Sequence, residues 1–283
     1  MDTITGRFFT EERALFRGDT LCITDCAFDT GESALKHSSS IRLIHTVFRG
    51  KYPLWYSKGL SLERCTLAEP ARAALWYSGE ISLADTMIAA PKALRRCSQI
   101  RMRNISIPEA VETLWDCRDV TAESLTVSGD YFGMNCEGLR ISKMQLNGKY
   151  CFDGLRNAEI SDSVLIGRDV FWNSENVTVR NSFLSGAYIG WNSKNLTLEN
   201  CTVESLQGFC YIENLRLVSC RLINTTLAFE HSTVEAVLDG TVDSILNPKG
   251  GHILMDTPGA VTLDPAETDP QATEIRVRQS PSA

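Results

Sequence analysis

Residues 188–203 read Y-I-G-W-N-S-K-N-L-T-L-E-N-C-T-V, and residues 169–184, nineteen positions earlier, read D-V-F-W-N-S-E-N-V-T-V-R-N-S-F-L. The two lines share one frame: a Trp-Asn-Ser step, an Asn, an apolar-x-apolar pair, a polar pair, and a second alternation. With position zero at the first apolar residue of the pair, the frame recurs at Leu21, Ile41, Leu60, Ile81, Ile100, Val120, Leu139, Ala158, Val177, Leu196, Leu215 and Val234, at intervals of 19–21 residues. Such a period decides the fold before any local propensity does.

The columns carry the argument. Positions two after zero are apolar (Ile23, Leu43, Leu62, Leu83) and so are those seven after (Phe28, Phe48, Leu67, Ile88). Six before zero stand Leu35, Leu54, Leu75, Leu94 and Leu114, then Phe152 and Phe171. A spacing of two means a strand with one buried face. Three short alternations per unit predict three short strands per coil, and no unit contains a helix-length run of 3.6 periodicity. One coil cannot bury its inward face alone, so coils must stack, like residue on like residue, about 4.8 Å apart. Asn157, Asn176, Asn195 and Asn214 precede zero at a strict interval of 19. Asn tolerates the left-handed backbone region, and stacked amides can bond one another up a ladder.

These columns, with the runs E-E-R-A-L-F (11–16), K-Y-P-L-W-Y (51–56), Y-F-G-M-N (131–135), F-W-N-S (171–174) and E-S-L-Q-G (204–208), resemble the pectin-lyase-like superfamily, and within it a bacterial family whose members carry no assigned activity. The resemblance covers roughly Glu11 to Val242. It implies an all-β chain folded as a right-handed, single-stranded parallel β-helix of about 12 coils. The expected organisation is an N-terminal cap and partial first coil over 1–20, the β-helix over 21–242, and an irregular C-terminal cap and tail over 243–283 that includes Pro265, Pro270 and Pro281. Polygalacturonase-like enzymes of that superfamily use close aspartate sets, and pectate lyases use a calcium cluster with an arginine base. Neither motif is present cleanly, so no residue role is carried over.

Composition narrows the partners. A net charge of −7 argues against nucleic acid, because there is no basic excess to neutralise phosphates. No window of about 18 apolar residues exists, so no membrane span is expected. The ten cysteines fall in register with Ser and Thr, and no signal peptide is visible at the N-terminus, so reduced thiols and a cytoplasmic location are expected. No C-x-x-C pair occurs, and no metal or other cofactor is expected. Cys97, Cys117 and Cys136 share an inward column and are read as small space-filling hydrophobes.

All five tryptophans, Trp55, Trp76, Trp115, Trp172 and Trp191, stand five before zero, in a column that also holds Lys36, Arg95 and Asp153. Such a mixture belongs outside a narrow core. Either a loop or a second copy covers it, or it offers a row of aromatic platforms to sugar rings. Tyr131 and Tyr188 lie eight before zero, and Asn135, Asn173 and Asn192 four before it. Together they make a surface of aromatics, amides and charges suited to an oligosaccharide. Arg95 and Arg96 can take an acidic sugar group, or equally pair with Glu112 and Asp116 on the next coil. Among the mid-chain acids, Asp153, with Asp130 or Asp116 as partner, is the candidate catalytic set, at separations bracketing the two glycosidase geometries. Three functions remain open: a glycoside hydrolase or polysaccharide lyase, a non-catalytic module binding glycan or protein, and an oligomeric scaffold joined through the aromatic stripe.

Overall fold

The computed structural model describes residues 1–278, so Pro281 lies outside the described residues. The fold is an all-β parallel solenoid, and among the described residues no α-helix occurs, only a 3-10 turn at Glu69–Ala71. The chain divides into two compact units, Met1–Gly148 and Lys149–Ala283.

In the first unit the zero column pairs in the expected register. Asp2 pairs with Leu21, Leu21 with Ile41, Ile41 with Leu60, Leu60 with Ile81, Ile81 with Ile100, Ile100 with Val120 and Val120 with Leu139. In the second unit Ala158 pairs with Val177, Val177 with Leu196, and Leu215 with Val234. Further coils start at Asp2, Gly251 and Thr273, which brings the stack to about 15 turns. The segments expected as caps thus hold strands of their own: Asp2–Thr5 and Phe8–Phe9 at one end, and Gly250–Met255, Thr257–Thr262 and Thr273–Val277 at the other.

The second side of each coil stacks Phe9, Phe28, Phe48 and Leu67 in the first unit, and Leu165, Leu184, Val203 and Leu222 in the second. Phe28 lies between Phe9 and Phe48, with ring centroids 4.6 and 4.8 Å apart and planes within 8°. The third side is shortest. It is strand at Leu75–Trp76 and Leu94–Arg95 and turn elsewhere. Its amides still bond up the stack: Leu35 to Pro53, Leu54 to Ala74, Leu75 to Ala93.

Corners explain the polar columns. The residues eight, four and one before zero, and four after it, sit in the left-handed backbone region; Tyr188 (φ 62°), Asn192 (φ 56°), Asn195 (φ 54°) and Asn200 (φ 53°) turn one coil. That conformation costs an ordinary side chain about 1–2 kcal/mol. The asparagines offset it with the expected ladder: Asn176 donates to Asn157 at 3.0 Å, Asn195 to Asn176 at 2.7 Å and Asn214 to Asn195 at 3.0 Å. Two more amide ladders run at other corners, Asn200 to Asn181 to Asp162, and Asn192 to Asn173 to Asp153.

Candidate functional site

The third side carries every tryptophan, because the residue five before zero follows the inward Leu or Phe and so points out, between two left-handed corners. In the first unit this column closes on itself. Trp55 and Trp76 stack at 5.1 Å and 5°. The Arg95 guanidinium lies between Trp76 and Trp115, at 4.7 and 4.5 Å from their ring centroids, and Lys36 covers Trp55 at 5.4 Å. Each indole N–H donates to a backbone carbonyl of the next coil: Trp55 to Ala73, Trp76 to Lys92 at 2.7 Å, and Trp115 to Tyr131 at 2.5 Å. Both ring faces of Trp55 and Trp76 and the indole donors of all three are therefore occupied, and Arg95 covers one face of Trp115.

The neighbouring column behaves alike. His37, Tyr56 and Tyr77 stack at 5.1 and 4.8 Å, and Arg96 caps Tyr77 at 5.8 Å. Arg95 pairs with Glu112 at 3.2 Å, which also takes Lys92 at 2.8 Å, and Arg96 pairs with Asp116 at 3.5 Å. Of the two readings of Arg95 and Arg96, the pairing with the next coil is the one the structure adopts. Arg95 Nε is buried without a partner, the polar cost of placing a guanidinium between two indoles.

The second unit differs. Among the described residues Trp172 and Trp191, one coil apart, make no ring contact with each other, and neither indole N–H has a hydrogen-bond partner. Both are half-buried. Trp191 meets Tyr188 edge-on at 5.4 Å and Tyr211 at a 39° tilt; Trp172 packs near Tyr150 at 6.0 Å. Beside them run the exposed amides. Asn192 donates to Asn173 at 2.7 Å and Asn173 to Asp153 at 3.0 Å. This leaves the Asn192 amide oxygen and the second Asp153 oxygen without partners among the described residues. Free donors and free acceptors thus alternate on one face, next to aromatic rings.

The three candidate acids fall in both units. Asp153 ends the amide ladder of the second unit. Asp116 and Asp130 stand on adjacent coils of the first, Asp116 at a corner and Asp130 just before one: Asp116 N–H bonds the carbonyl of Met134, while the carbonyl of Asp130 accepts from Glu112. Tyr131 and Asn135 are exposed on that same coil of the first unit. Asp169 is buried and bound by Arg168 Nε at 2.7 Å, an arrangement that the columns did not flag, since Arg168 falls outside every aligned column.

Nine of the ten free cysteines are buried, and their thiols donate mainly to backbone carbonyls, as Cys136 does to Leu114 at 2.9 Å. Burial pushes the Cys97 and Cys117 thiols well up, and that of Cys210 to about 12, so these groups stay protonated. On the last coils a shallow groove of about 580 Å³ is lined by Arg216, Glu235, His252, Glu274 and Arg276. Its polar side chains pair with one another: His252 Nδ1 lies 2.9 Å from Glu235 and Arg276 Nε 2.6 Å from Glu274. Among the described residues no group of three acids, histidines or cysteines is arranged to hold a metal ion.

Residues 2–276 match a family described as "Protein of unknown function (DUF3737)". Among curated proteins none matches the chain. Solved structures with a similar trace include a mutant tailspike protein of E. coli bacteriophage HK620 in complex with pentasaccharide, at 11% identity and a TM-score of 0.43, covering 86% of this chain and 60% of that one. The chain thus spans about 60% of the length of that tailspike. PfbA, a surface adhesin of Streptococcus pneumoniae, matches at 10% identity and a TM-score of 0.41, covering 93% and 84%. The periplasmic alginate epimerase AlgG matches at 13% identity and a TM-score of 0.35, covering 92% and 78%. Similarity at this level is low, and the fold rests on the register described above.

Proposed function

The chain belongs to the DUF3737 family of proteins of unknown function, and from the surface just described we propose that it binds carbohydrate along the third side of its second unit. The observation that carries the reading is the pair of unpartnered indole N–H groups at Trp172 and Trp191, against three satisfied ones at Trp55, Trp76 and Trp115. A sugar presents hydroxyls that both donate and accept, and an apolar C–H face. Trp172 and Trp191 supply donors and ring surface, Asn192 and Asp153 supply acceptors, and Tyr188 flanks them. The coil rise of about 4.8 Å lets an extended saccharide meet the same constellation on successive coils.

A hydrolase or lyase reading needs a second acid or base opposite the first. Asp169, on the coil after Asp153, is committed to Arg168, so binding is the reading the geometry favours. The three-sided coil and the asparagine ladders support placing the family with the pectin-lyase-like β-helices.

The test is a panel of oligosaccharides presented to the intact protein, with product analysis of every ligand found. Trp172→Ala and Trp191→Ala should each weaken binding about tenfold or more, since truncating an aromatic anchor costs on the order of 2 kcal/mol. If no saccharide binds and this face instead joins two copies in solution, the scaffold reading replaces this one.

A further inference from the structure

The chemistry of the ligand can be narrowed by one more pair of side chains, an inference that rests on the glycan-binding reading. Among the described residues Asp169 is the one buried Asp or Glu, its side chain 3% exposed. A buried carboxylate is costly unless it is paired. Its partner is the preceding residue, Arg168, whose Nε donates to Oδ2 at 2.7 Å while the side chain remains 49% exposed. The Arg168 guanidinium also stands 5.3 Å from the ring centroid of Tyr188 on the next coil.

These two contacts orient the guanidinium. The bond at Nε anchors one edge, and the phenol ring sets its position against the next coil. The opposite edge, with the two terminal nitrogens, makes no hydrogen bond or ion pair among the described residues. Arg95 of the first unit, by contrast, commits a terminal nitrogen to Glu112 at 3.2 Å. A planar fork of donors held open in this way matches the two oxygens of a carboxylate or a sulfate ester. It also stands beside Tyr188, whose ring contacts Trp191.

We propose that Arg168 is the anion-reading group of this surface, and that its two terminal nitrogens take an acidic substituent of the glycan, with Asp169 as the positioning residue. Recognition involves no covalent step. The ligand class is accordingly a saccharide bearing carboxylate or sulfate groups.

The experiment titrates the full chain by calorimetry with oligosaccharides matched in length and differing only in being neutral, carboxylated or sulfated. In parallel, inorganic sulfate is titrated while the guanidinium NMR signals of Arg168 are followed. Acidic ligands should bind about tenfold or more tightly than their neutral counterpart at low salt, the margin shrinking as salt is raised. Arg168→Gln, checked for folding by circular dichroism, should erase the margin between acidic and neutral ligands. Arg168→Lys should restore part of it, because an ammonium keeps the charge without the fork. Asp169→Asn, checked for folding by circular dichroism, should reduce the margin with Arg168 still in place. The carboxylated and sulfated arms distinguish the two acidic groups. Equal affinity for acidic and neutral ligands, or a margin that survives Arg168→Gln, overturns the assignment while leaving glycan binding intact. If no glycan binds at all, the glycan reading fails, and the sulfate titration still decides on Arg168: an unmoved guanidinium signal overturns the anion site.

Discussion

Asp85 illustrates how a single corner residue stabilises its coil. It turns in the left-handed region (φ 50°) and accepts from Asn104 at 2.8 Å and from Arg103 at 3.1 Å. The Asn104 amide, helped by Arg103, holds its carboxyl below the ordinary 3.8. A folded value below the unfolded one means that its stabilisation is complete above about pH 4 and disappears as the pH falls through the folded value. Asp85→Asn should therefore lose less thermal stability than the native chain between pH 5 and pH 2. Equal losses in a pair of melting curves would contradict this. At this same scale the sequence was a partial guide. The columns showed which residues face outward, and Trp191 and Asn192 do. They could not show which indoles find a carbonyl, because Trp76 and Trp191 occupy identical positions in the repeat and differ only in what the next coil brings to them. The Arg168–Asp169 pair was hidden for a related reason, since no periodicity marks a salt bridge between adjacent residues.

At the scale of the element, the inward columns hold the coil together, and they were the most legible part of the chain. Phe28 is buried between two parallel rings, so its removal leaves a cavity that neighbours stacked in register cannot readily fill. Phe28→Ala should cost about 3–5 kcal/mol in urea unfolding; a loss below about 1 kcal/mol would mean that the stack collapses onto the gap. The strands at 250–277 were harder to read. Gly250, Gly251, Pro258 and Gly259 interrupt the alternation there, and Gly251 approaches the Val234 backbone so closely that a Cβ would lie 2.0 Å from its carbonyl oxygen. A glycine placed for close approach leaves no hydrophobic signal to count. The third side was legible as an apolar position but not as a turn, because one inward Leu or Phe per coil suffices to hold it.

At the scale of the whole molecule, the contacts of the tryptophan column differ between the two units. In the first, the aromatic column is stacked and its donors are satisfied; in the second, Trp172 and Trp191 keep theirs free beside Asn192 and Asp153. The sequence period specified the architecture, whereas the proposed functional division rests on contacts between neighbouring coils. The measurement that tests it most directly compares Trp76→Ala with Trp191→Ala, each followed by urea unfolding and by calorimetric titration with the tightest saccharide of the panel. Trp76→Ala should lower stability by about 2 kcal/mol or more, from the lost stacking and indole hydrogen bond, with affinity unchanged. Trp191→Ala should lower affinity about tenfold or more, with a smaller loss of stability than Trp76→Ala because it breaks no indole hydrogen bond. Affinity lost with Trp76 and retained with Trp191 would contradict the account.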